Sequence, residues 1–407
     1  MGSMKRRAGV TAGSGRASRA AAIEVGGRDA RRLRPGQPLS FRHDALLFRC
    51  AYPKTPEDLK RAEAALKKIR MRDQLLDPDI SGIAGTSVDM IFSYEIARWL
   101  ASRFPTTLEI DWEDPPDDDR LAAVLTPLIP ELQERIVDAN VPYLNYAKAQ
   151  SLDWYLQNLQ PVTYDLLGLW IRWRFPDAMS RTFMRRKPRE IFYDRTIVAR
   201  RDMSIGRELA GAPLPIRELS RRDGEEALDM ARGALATRYR ELYNFTFGDP
   251  STVISADGGR GLEILLFGLT PERRLPIREG FAPLFFRNGV PIGYGDAFVR
   301  GQRIEVSFNI FPAFREGESG YCFARLLKLY RQQFGSTIFS IDPYQLGLGN
   351  AEAIASGAFW FYRKLGFRST DPKAERLARR EEKRKRRSSA TTLRKLGQSA
   401  MIYQISR

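Results

Sequence analysis

The sequence is almost without histidine and cysteine. His43 is the single histidine, and Cys50 and Cys322, the two cysteines, lie far apart in the chain. This set offers no spacing that suits zinc ligands, so the sequence predicts a chain without a metal site. No partner pattern surrounds His43, and we interpret it as a structural or surface residue. So few cysteines are typical of a reducing compartment, which favours the cytoplasm.

Long apolar runs are also absent. No run approaches the roughly 18 residues that a membrane-spanning helix needs. The N-terminal segment is basic, but no apolar segment follows it, which argues against a secretory signal. Hydrophobic residues still make up 43% of the 407 residues, which is ample for real cores. The length predicts two domains, or three.

Positive charge is abundant but unevenly distributed. The net charge is +17, of which residues 1–37 contribute +7 and residues 373–395 contribute +8. The body of the protein is therefore nearly neutral, and the basic character belongs to two segments. Two interpretations stay open: solvated charge, or non-specific contact with a nucleic acid or an anionic lipid surface through clustered Lys and Arg. Nothing in the sequence resembles a module that reads base sequence.

The first half of the chain has mainly helical periodicity. We expect a disordered basic tail over residues 1–38 and a mainly helical domain over residues 39–211. The acidic turn of residues 113–119 matches no EF-hand spacing and favours a linker that caps the next helix. The predicted helices cover 56–72 with Thr55 as N-cap, 87–104, 119–138, 142–158 and 162–174, and the predicted strands cover 106–112 and 191–198.

The second half alternates strand and helix patterns. A Gly/Pro-rich stretch at 209–215 marks a domain boundary near residue 212. From there to residue 407 we predict a mixed β-sheet flanked by helices, so the fold class is α+β. The predicted strands are 216–219, 262–267, 304–311 and 337–341, the predicted helices are 223–243 (capped by Ser220) and 356–364, and a hairpin over 281–299 turns at Asn288-Gly289. Residues 372–396 are predicted to be a basic insertion, after which residues 400–405 return to the sheet as its last strand.

The centre of this half is a strand, a loop and a helix. Such a loop is a ready anion site, because free amides and the helix dipole point at it. The loop reads Ile310-x-Pro312-x-Phe314-Arg315-x-x-Glu318-x-Gly320, and a later helix ends in Tyr362-Arg363-Lys364-Leu365-Gly366-Phe367, with Ala358 four residues before the tyrosine. On these two motifs the region resembles the GNAT superfamily of N-acetyltransferases.

The resemblance implies an acyltransferase. Its donor would be acetyl-CoA or another acyl-CoA, its acceptor an amine, and no metal would take part. Tyr362 would protonate the departing thiolate. Glu305, on the central strand, would act as the base, with Asp296 and Asp342 as alternatives. The residues implied in donor binding are Ile310, Phe311, Arg315, Gly317, Glu318, Ser319, Gly320, Tyr321 and Asn350.

Two positions depart from the family pattern. Glu318 stands where the family has its middle glycine, and a carboxylate repels a pyrophosphate. The family's asparagine falls on Ala355, while Asn350 lies five residues earlier, which indicates an insertion. Two further hypotheses therefore stay open: a transferase of the same fold that uses aminoacyl-tRNA, which would also suit the basic segments, and a non-catalytic binding module.

Overall fold

The computed structural model describes residues 39–69, 82–129, 142–384 and 386–405. An N-terminal helical region precedes a large mixed sheet, so the predicted α+β class is confirmed. The predicted tail over residues 1–38 lies outside the described residues. None of the described helices combines the length and the apolar composition that crossing a bilayer requires.

Two helices come first in the described chain, α1 (Leu39–Ala51) and α2 (Pro56–Leu66). The Thr55 hydroxyl accepts a hydrogen bond from the Asp58 amide at 3.1 Å, and Pro56 begins the helix, as predicted. The inner faces of both helices pack into the larger of two hydrophobic cores.

A small sheet with its own core follows. Its three antiparallel strands lie in the order β1 (Val88–Ile91), β3 (Trp170–Trp173), β2 (Leu108–Ile110). Five helices of the described ranges lie around it: α3 (Tyr94–Arg103), α4 (Asp118–Leu125), α5 (Tyr143–Lys148), α6 (Leu152–Asn158) and α7 (Pro161–Leu167). Asp117 caps α4 by accepting from the Arg120 amide at 2.9 Å, so the acidic turn has the capping role we predicted.

Several predicted helices in this region were too long. The helix predicted over 87–104 begins at Tyr94, because Val88–Ile91 pairs as a strand. The one predicted over 142–158 is divided at Ser151, whose side chain caps α6. The one predicted over 162–174 ends where Gly168 takes a left-handed φ of 68°, and Trp170–Trp173 forms the central strand. Aromatic and β-branched residues occur in helices as well as in strands. In the segments 88–91 and 170–173, pairing within the sheet determines that they are strands.

The remaining strands form one nine-stranded sheet. In chain order they are β4 (Ile216–Glu218), β5 (Ile254–Gly259), β6 (Leu262–Gly268), β7 (Glu279–Arg287), β8 (Val290–Arg300), β9 (Arg303–Ile310), β10 (Ile338–Ile341), β11 (Arg368–Ser369) and β12 (Met401–Gln404). The helices are α8 (Ile205–Ala210), α9 (Arg221–Ala236), α10 (Tyr243–Thr246), α11 (Ser319–Phe334), α12 (Pro343–Leu346), α13 (Ala351–Ser356), α14 (Ala358–Lys364), α15 (Pro372–Glu382) and α16 (Ala390–Leu396). Residues 191–198, predicted as a strand, form irregular backbone that covers the loop before α11.

The strands of this sheet are ordered β11-β12-β10-β9-β8-β7-β6-β5-β4. The described pairings are antiparallel except for β9 with β10, which run parallel. The last strand lies between β10 and β11, so the prediction that residues 400–405 return to the sheet is confirmed. The β7–β8 hairpin turns at Asn288 and Gly289, with φ of 48° and 78°, as predicted.

Two hydrophobic cores result from this arrangement. The smaller core is built from residues 88–175 and Ala236, and the larger one joins α1, α2 and the nine-stranded sheet. The segment before residue 212 therefore contributes to both cores. The domain limits of 39–211 and 212–407 stay a prediction.

Candidate functional site

The loop before α11 holds the most unusual side chain of the region, Glu318. Pro312 ends the strand, a short 3₁₀ turn follows, and α11 begins at Ser319. The Glu318 side chain has no exposed surface, because it turns inward from the loop. Its carboxylate accepts a hydrogen bond from the Val198 amide at 2.8 Å. The Glu318 carboxylate therefore points into the protein, and its predicted place in donor binding stays a prediction.

Glu318 belongs to a buried ion cluster of four side chains, Asp194, Arg260, Arg287 and Glu318. Glu318 lies 2.7 Å from Arg260 and 3.0 Å from Arg287. Asp194 lies 2.8 Å and 2.7 Å from the same two guanidinium groups. Burial raises the pKa of Asp194, although Arg287 acts in the opposite direction. Two cations and two anions make the cluster electrically balanced, as a buried group of charges has to be.

The chain itself covers the loop next to the ion cluster. A β-carbon placed on Gly317 would lie 2.6 Å from the Tyr52 ring, and one on Gly320 would lie 3.2 Å from Arg200. The Glu318 amide donates to the Tyr52 hydroxyl at 3.4 Å. Tyr52 and Arg200 therefore occupy the space beside the two glycines, where the lack of a side chain permits a close approach.

The other loop residues have local roles in the fold. Arg315 forms an ion pair with Glu352, which also binds Arg240 at 3.1 Å. Phe311 is buried, and the guanidinium of Arg238 stacks 3.9 Å from the centre of its ring. The hydroxyl of Tyr321 donates to the Gly258 carbonyl at 2.5 Å. The structure places Ile310 and Ser319 as partly buried residues at the two ends of this loop.

Tyr362 and Asn350 lie in the helices after β10. The Tyr362 side chain is buried, packs on Phe323, and places its hydroxyl 3.5 Å from Gln345 Oε1. Burial raises the pKa of this hydroxyl, which therefore keeps its proton at neutral pH. Asn350 caps α13 by accepting from the Ala353 amide at 3.0 Å.

A second group of polar residues lies on one face of β8 and β9. Asp296 pairs with Ser307, so these two side chains project from the same face of the sheet. Glu305, two residues before Ser307, shares that face. Asp342, the third carboxylate considered, caps α12 through the Tyr344 amide at 2.8 Å and does not join this group. We call Asp296, Glu305 and Ser307, all partly buried, the carboxylate face.

Asp296 is a residue of this face whose pKa is shifted. Burial raises its pKa to about 7, against hydrogen bonds from the Asn244 side chain and the Ala297 amide, and the Glu305 charge adds to the rise. Asn244 also donates to the Phe281 carbonyl at 3.2 Å, which fixes its amide beside Asp296. A carboxyl with a pKa near neutrality is suited to general base catalysis.

Tyr362 and the carboxylate face lie on opposite sides of the sheet. Phe308, which alternates with Ser307 along β9, stacks on Phe361 and contacts Phe323 of α11. Tyr362 packs in that aromatic group, away from Glu305. The strands β9 and β10 separate beyond Glu305 and Ser340, where their pairing ends while β9 continues to Ile310.

Sequence reasoning missed several participants in these sites, among them Tyr52, Asp194, Arg260 and Asn244. Arg260 carries a local signal, since it lies between two glycines and has a positive φ of 55°. The other three come from distant segments, and no spacing in the sequence connects them. His43 is fully buried and bonds the Thr182 hydroxyl at 3.0 Å, so it is a structural residue and not a surface one.

Two observations complete the description of the site. Within the described ranges, no group of three or more His, Cys, Asp and Glu side chains is arranged to hold a metal ion. Comparisons with protein-family models, with curated proteins and with solved structures find no match to this chain.

Proposed function

We propose that this chain is a GNAT-like N-acyltransferase that moves an acyl group from an acyl-CoA to an amine. The observation that carries the proposal is Asp296, a carboxyl with a pKa of about 7 beside the separation of two parallel strands. The insertion of β12 between β10 and β11 supports the same reading, since it continues the mixed sheet expected from the resemblance.

The proposed chemistry needs a base, a nucleophile and an acid. Asp296 accepts the proton of the acceptor ammonium near neutral pH, and Asn244 holds the carboxylate in place. The freed amine attacks the thioester carbonyl, the C–N bond forms, and the C–S bond breaks. Tyr362, on the other side of the sheet, supplies the proton that converts the departing thiolate to a thiol, through the place where β9 and β10 separate. The proton that the new amide nitrogen loses then replaces the one given up by Tyr362. Glu305 assists by raising the basicity of Asp296 through its charge.

The test measures thiol release from acyl-CoA in the presence of a panel of amines. We expect a rate that rises with pH through about 7, the pKa of Asp296. Asp296→Asn should lower the rate by about 10²-fold or more, the range of general base catalysis. Asp342→Asn is the matched control, because this carboxylate caps a helix outside the face. An unchanged rate in Asp296→Asn would contradict the proposal.

A second candidate keeps the fold and changes the donor to aminoacyl-tRNA. The inward Glu318 and the covering residues Tyr52 and Arg200 favour it, because a CoA pyrophosphate at this loop requires the segment 196–200 to move away. Calorimetric titration separates the two. Micromolar heat with acetyl-CoA supports the first donor. No heat with acetyl-CoA, together with aminoacyl transfer from charged tRNA, supports the second, and neither activity supports a non-catalytic module.

A further inference from the structure

The basic insertion is an ordered part of the surface. Residues 372–384 and 386–396 form α15, a turn and α16, between β11 and β12. The first helix, α15, is anchored from below by Arg363, which is buried and binds Glu375 at 2.5 Å and Glu382 at 2.8 Å. Leu393 and Leu396 of α16 are buried in the larger core. Asp371 caps α15 by accepting from the Lys373 and Ala374 amides. The segment is therefore held in one position on the sheet.

The acids of this segment are all used by internal partners. Glu375 and Glu382 bind Arg363, and Glu381 is buried and pairs with Arg384 at 2.6 Å and with the Ser388 hydroxyl at 3.0 Å. These three acids are therefore engaged away from most of the exposed cations, and Asp371 acts on Lys373 and Arg376 through its charge. Seven of the exposed cations form no side-chain hydrogen bond or ion pair within the described part of the chain, and we call them the basic surface: Lys373, Arg376, Arg380, Lys383, Arg386, Arg394 and Lys395.

Four of these cations form one stripe along α15. Lys373, Arg376, Arg380 and Lys383 are spaced by three, four and three residues, so they lie on one side of the helix over about 15 Å. Like charges at this spacing repel and weaken a helix. The stripe therefore opposes the stability of its own helix, and such local conflicts mark functional surfaces.

We propose that the basic surface binds the phosphodiester backbone of a nucleic acid. A line of exposed cations without side-chain hydrogen bonds, on a helix anchored to the sheet, matches a regular row of phosphates, and release of counterions drives the binding. An anionic membrane is a poorer fit, since membrane-surface helices add an apolar face that inserts. Among the described residues, none of the exposed large hydrophobic side chains belongs to α15 or α16; they are Val162, Leu166, Tyr243, Ile277, Tyr344 and Leu348. The proposal is independent of acyl transfer, because none of the basic surface belongs to the carboxylate face.

The experiment measures binding of the full chain to labelled single-stranded RNA and to duplex DNA by fluorescence anisotropy, over about 50 to 200 mM salt. The variant combines Arg376→Gln, Arg380→Gln and Lys383→Gln. We expect its affinity for the single strand to fall by about tenfold or more at the lowest salt. The slope of log affinity against log salt should decrease by about 2, since each lost phosphate contact accounts for about 0.7. Its thermal stability should be unchanged or higher, because the repulsive stripe is gone.

The matched control combines Arg217→Gln, Arg221→Gln and Arg222→Gln, which removes the same charge from another exposed region. Arg221 and Arg222 already pair with Glu225 and Glu226. We expect this control to bind as the unaltered chain does. Equal losses in both variants would show an effect of net charge alone and overturn the proposal. Unchanged binding in the first variant, or binding to phosphatidylserine vesicles but not to nucleic acid, would overturn it as well.

Discussion

At the scale of single residues, Glu318 has a structural role that differs from the binding role implied by the surrounding loop motif. The loop motif predicts that this residue lies beside a bound donor. In the structure, its side chain instead belongs to the buried ion cluster with Arg260 and Arg287. The free energy of the folded state, and not the affinity for a ligand, should therefore depend first on this residue.

We predict that Glu318→Gln lowers the free energy of unfolding by about 3–5 kcal/mol, the usual cost of removing one partner from a buried ion pair. Arg287, which is fully buried, then keeps only Asp194 as a full counter-charge. Urea denaturation measures the change. Glu316→Gln, at an exposed position two residues earlier in the loop, should leave the midpoint nearly unchanged. A loss in Glu318→Gln no larger than in this control would mean that the cluster is not maintained in solution.

The raised pKa of Asp296 predicts that the free energy of unfolding depends on pH. A folded-state pKa of about 7 lies above the ordinary 3.8, so the folded protein holds this proton after the unfolded chain has released it. The contribution of Asp296 to the free energy of unfolding therefore falls as the pH rises from about 4 to about 7. Above pH 7 the penalty reaches at most about 4 kcal/mol.

We expect Asp296→Asn to be more stable than the unaltered chain at pH 8 and of similar stability near pH 4, because the amide carries no charge to bury. Denaturation series at the two pH values measure the difference. Asp342→Asn, which removes an exposed carboxylate, should show no such divergence with pH. A constant difference between Asp296→Asn and the unaltered chain across this range would contradict the raised pKa.

At the scale of elements, the turn of the β7–β8 hairpin packs against the segment around Arg186. Gly289 has a left-handed φ of 78°, its carbonyl accepts from the Arg186 amide at 2.8 Å, and a β-carbon there would collide with the Arg186 carbonyl. Gly301, in the β8–β9 turn, also has a positive φ of 57° but has nothing within 4 Å of the β-carbon position. A substitution at Gly301 therefore measures the cost of a left-handed backbone alone, whereas one at Gly289 adds the cost of a steric clash.

We predict that Gly301→Ala costs about 1 kcal/mol, the strain of a left-handed alanine, and that Gly289→Ala costs at least about 1 kcal/mol more. The added cost arises from moving the backbone near Arg186. Thermal and urea denaturation of the two variants give both values. Equal losses would mean that the segment around Arg186 does not pack on this turn in solution.

At the scale of the whole molecule, the two cores are joined by a few polar contacts. Asp229, on α9, accepts from the Trp99 indole at 2.7 Å and pairs with Arg103 at 3.0 Å. The Ser93 amide donates to Glu241 at 2.9 Å. These bonds connect α3, beside the small sheet, to the helix and turn that follow β4. Their loss should loosen the smaller core first, because fewer buried side chains build it.

We predict that Asp229→Ala separates the unfolding of the two cores. Five of the six tryptophans, at 99, 112, 154, 170 and 173, lie with the small sheet, so their fluorescence reports on that part. The fluorescence midpoint should fall below the midpoint from far-UV circular dichroism, whereas the unaltered chain gives coincident transitions. Asp153→Ala, an exposed change in the same part, should keep them coincident. Coincident transitions in Asp229→Ala would show that the apolar contacts alone couple the cores.

Much of the large sheet was determined by local sequence. The Asn288-Gly289 turn and the Thr55 and Ser220 caps are encoded within a few residues, because turns and caps depend on local backbone chemistry. The motif around Tyr362 likewise predicted its helix. Local pattern was insufficient at Trp170–Trp173, where a partner strand decided between helix and sheet.

Only the tertiary structure decided the character of the candidate sites. The ion cluster joins residues 194, 260, 287 and 318, and the base candidate Asp296 owes its pKa to burial beside Asn244 from another element. Burial and the approach of distant charges depend on how the whole chain packs, and no short stretch of sequence carries that information. The sequence by itself determined which elements exist and where the charge is concentrated. The fold decided which carboxylate is buried, which loop is covered and which cations face the solvent.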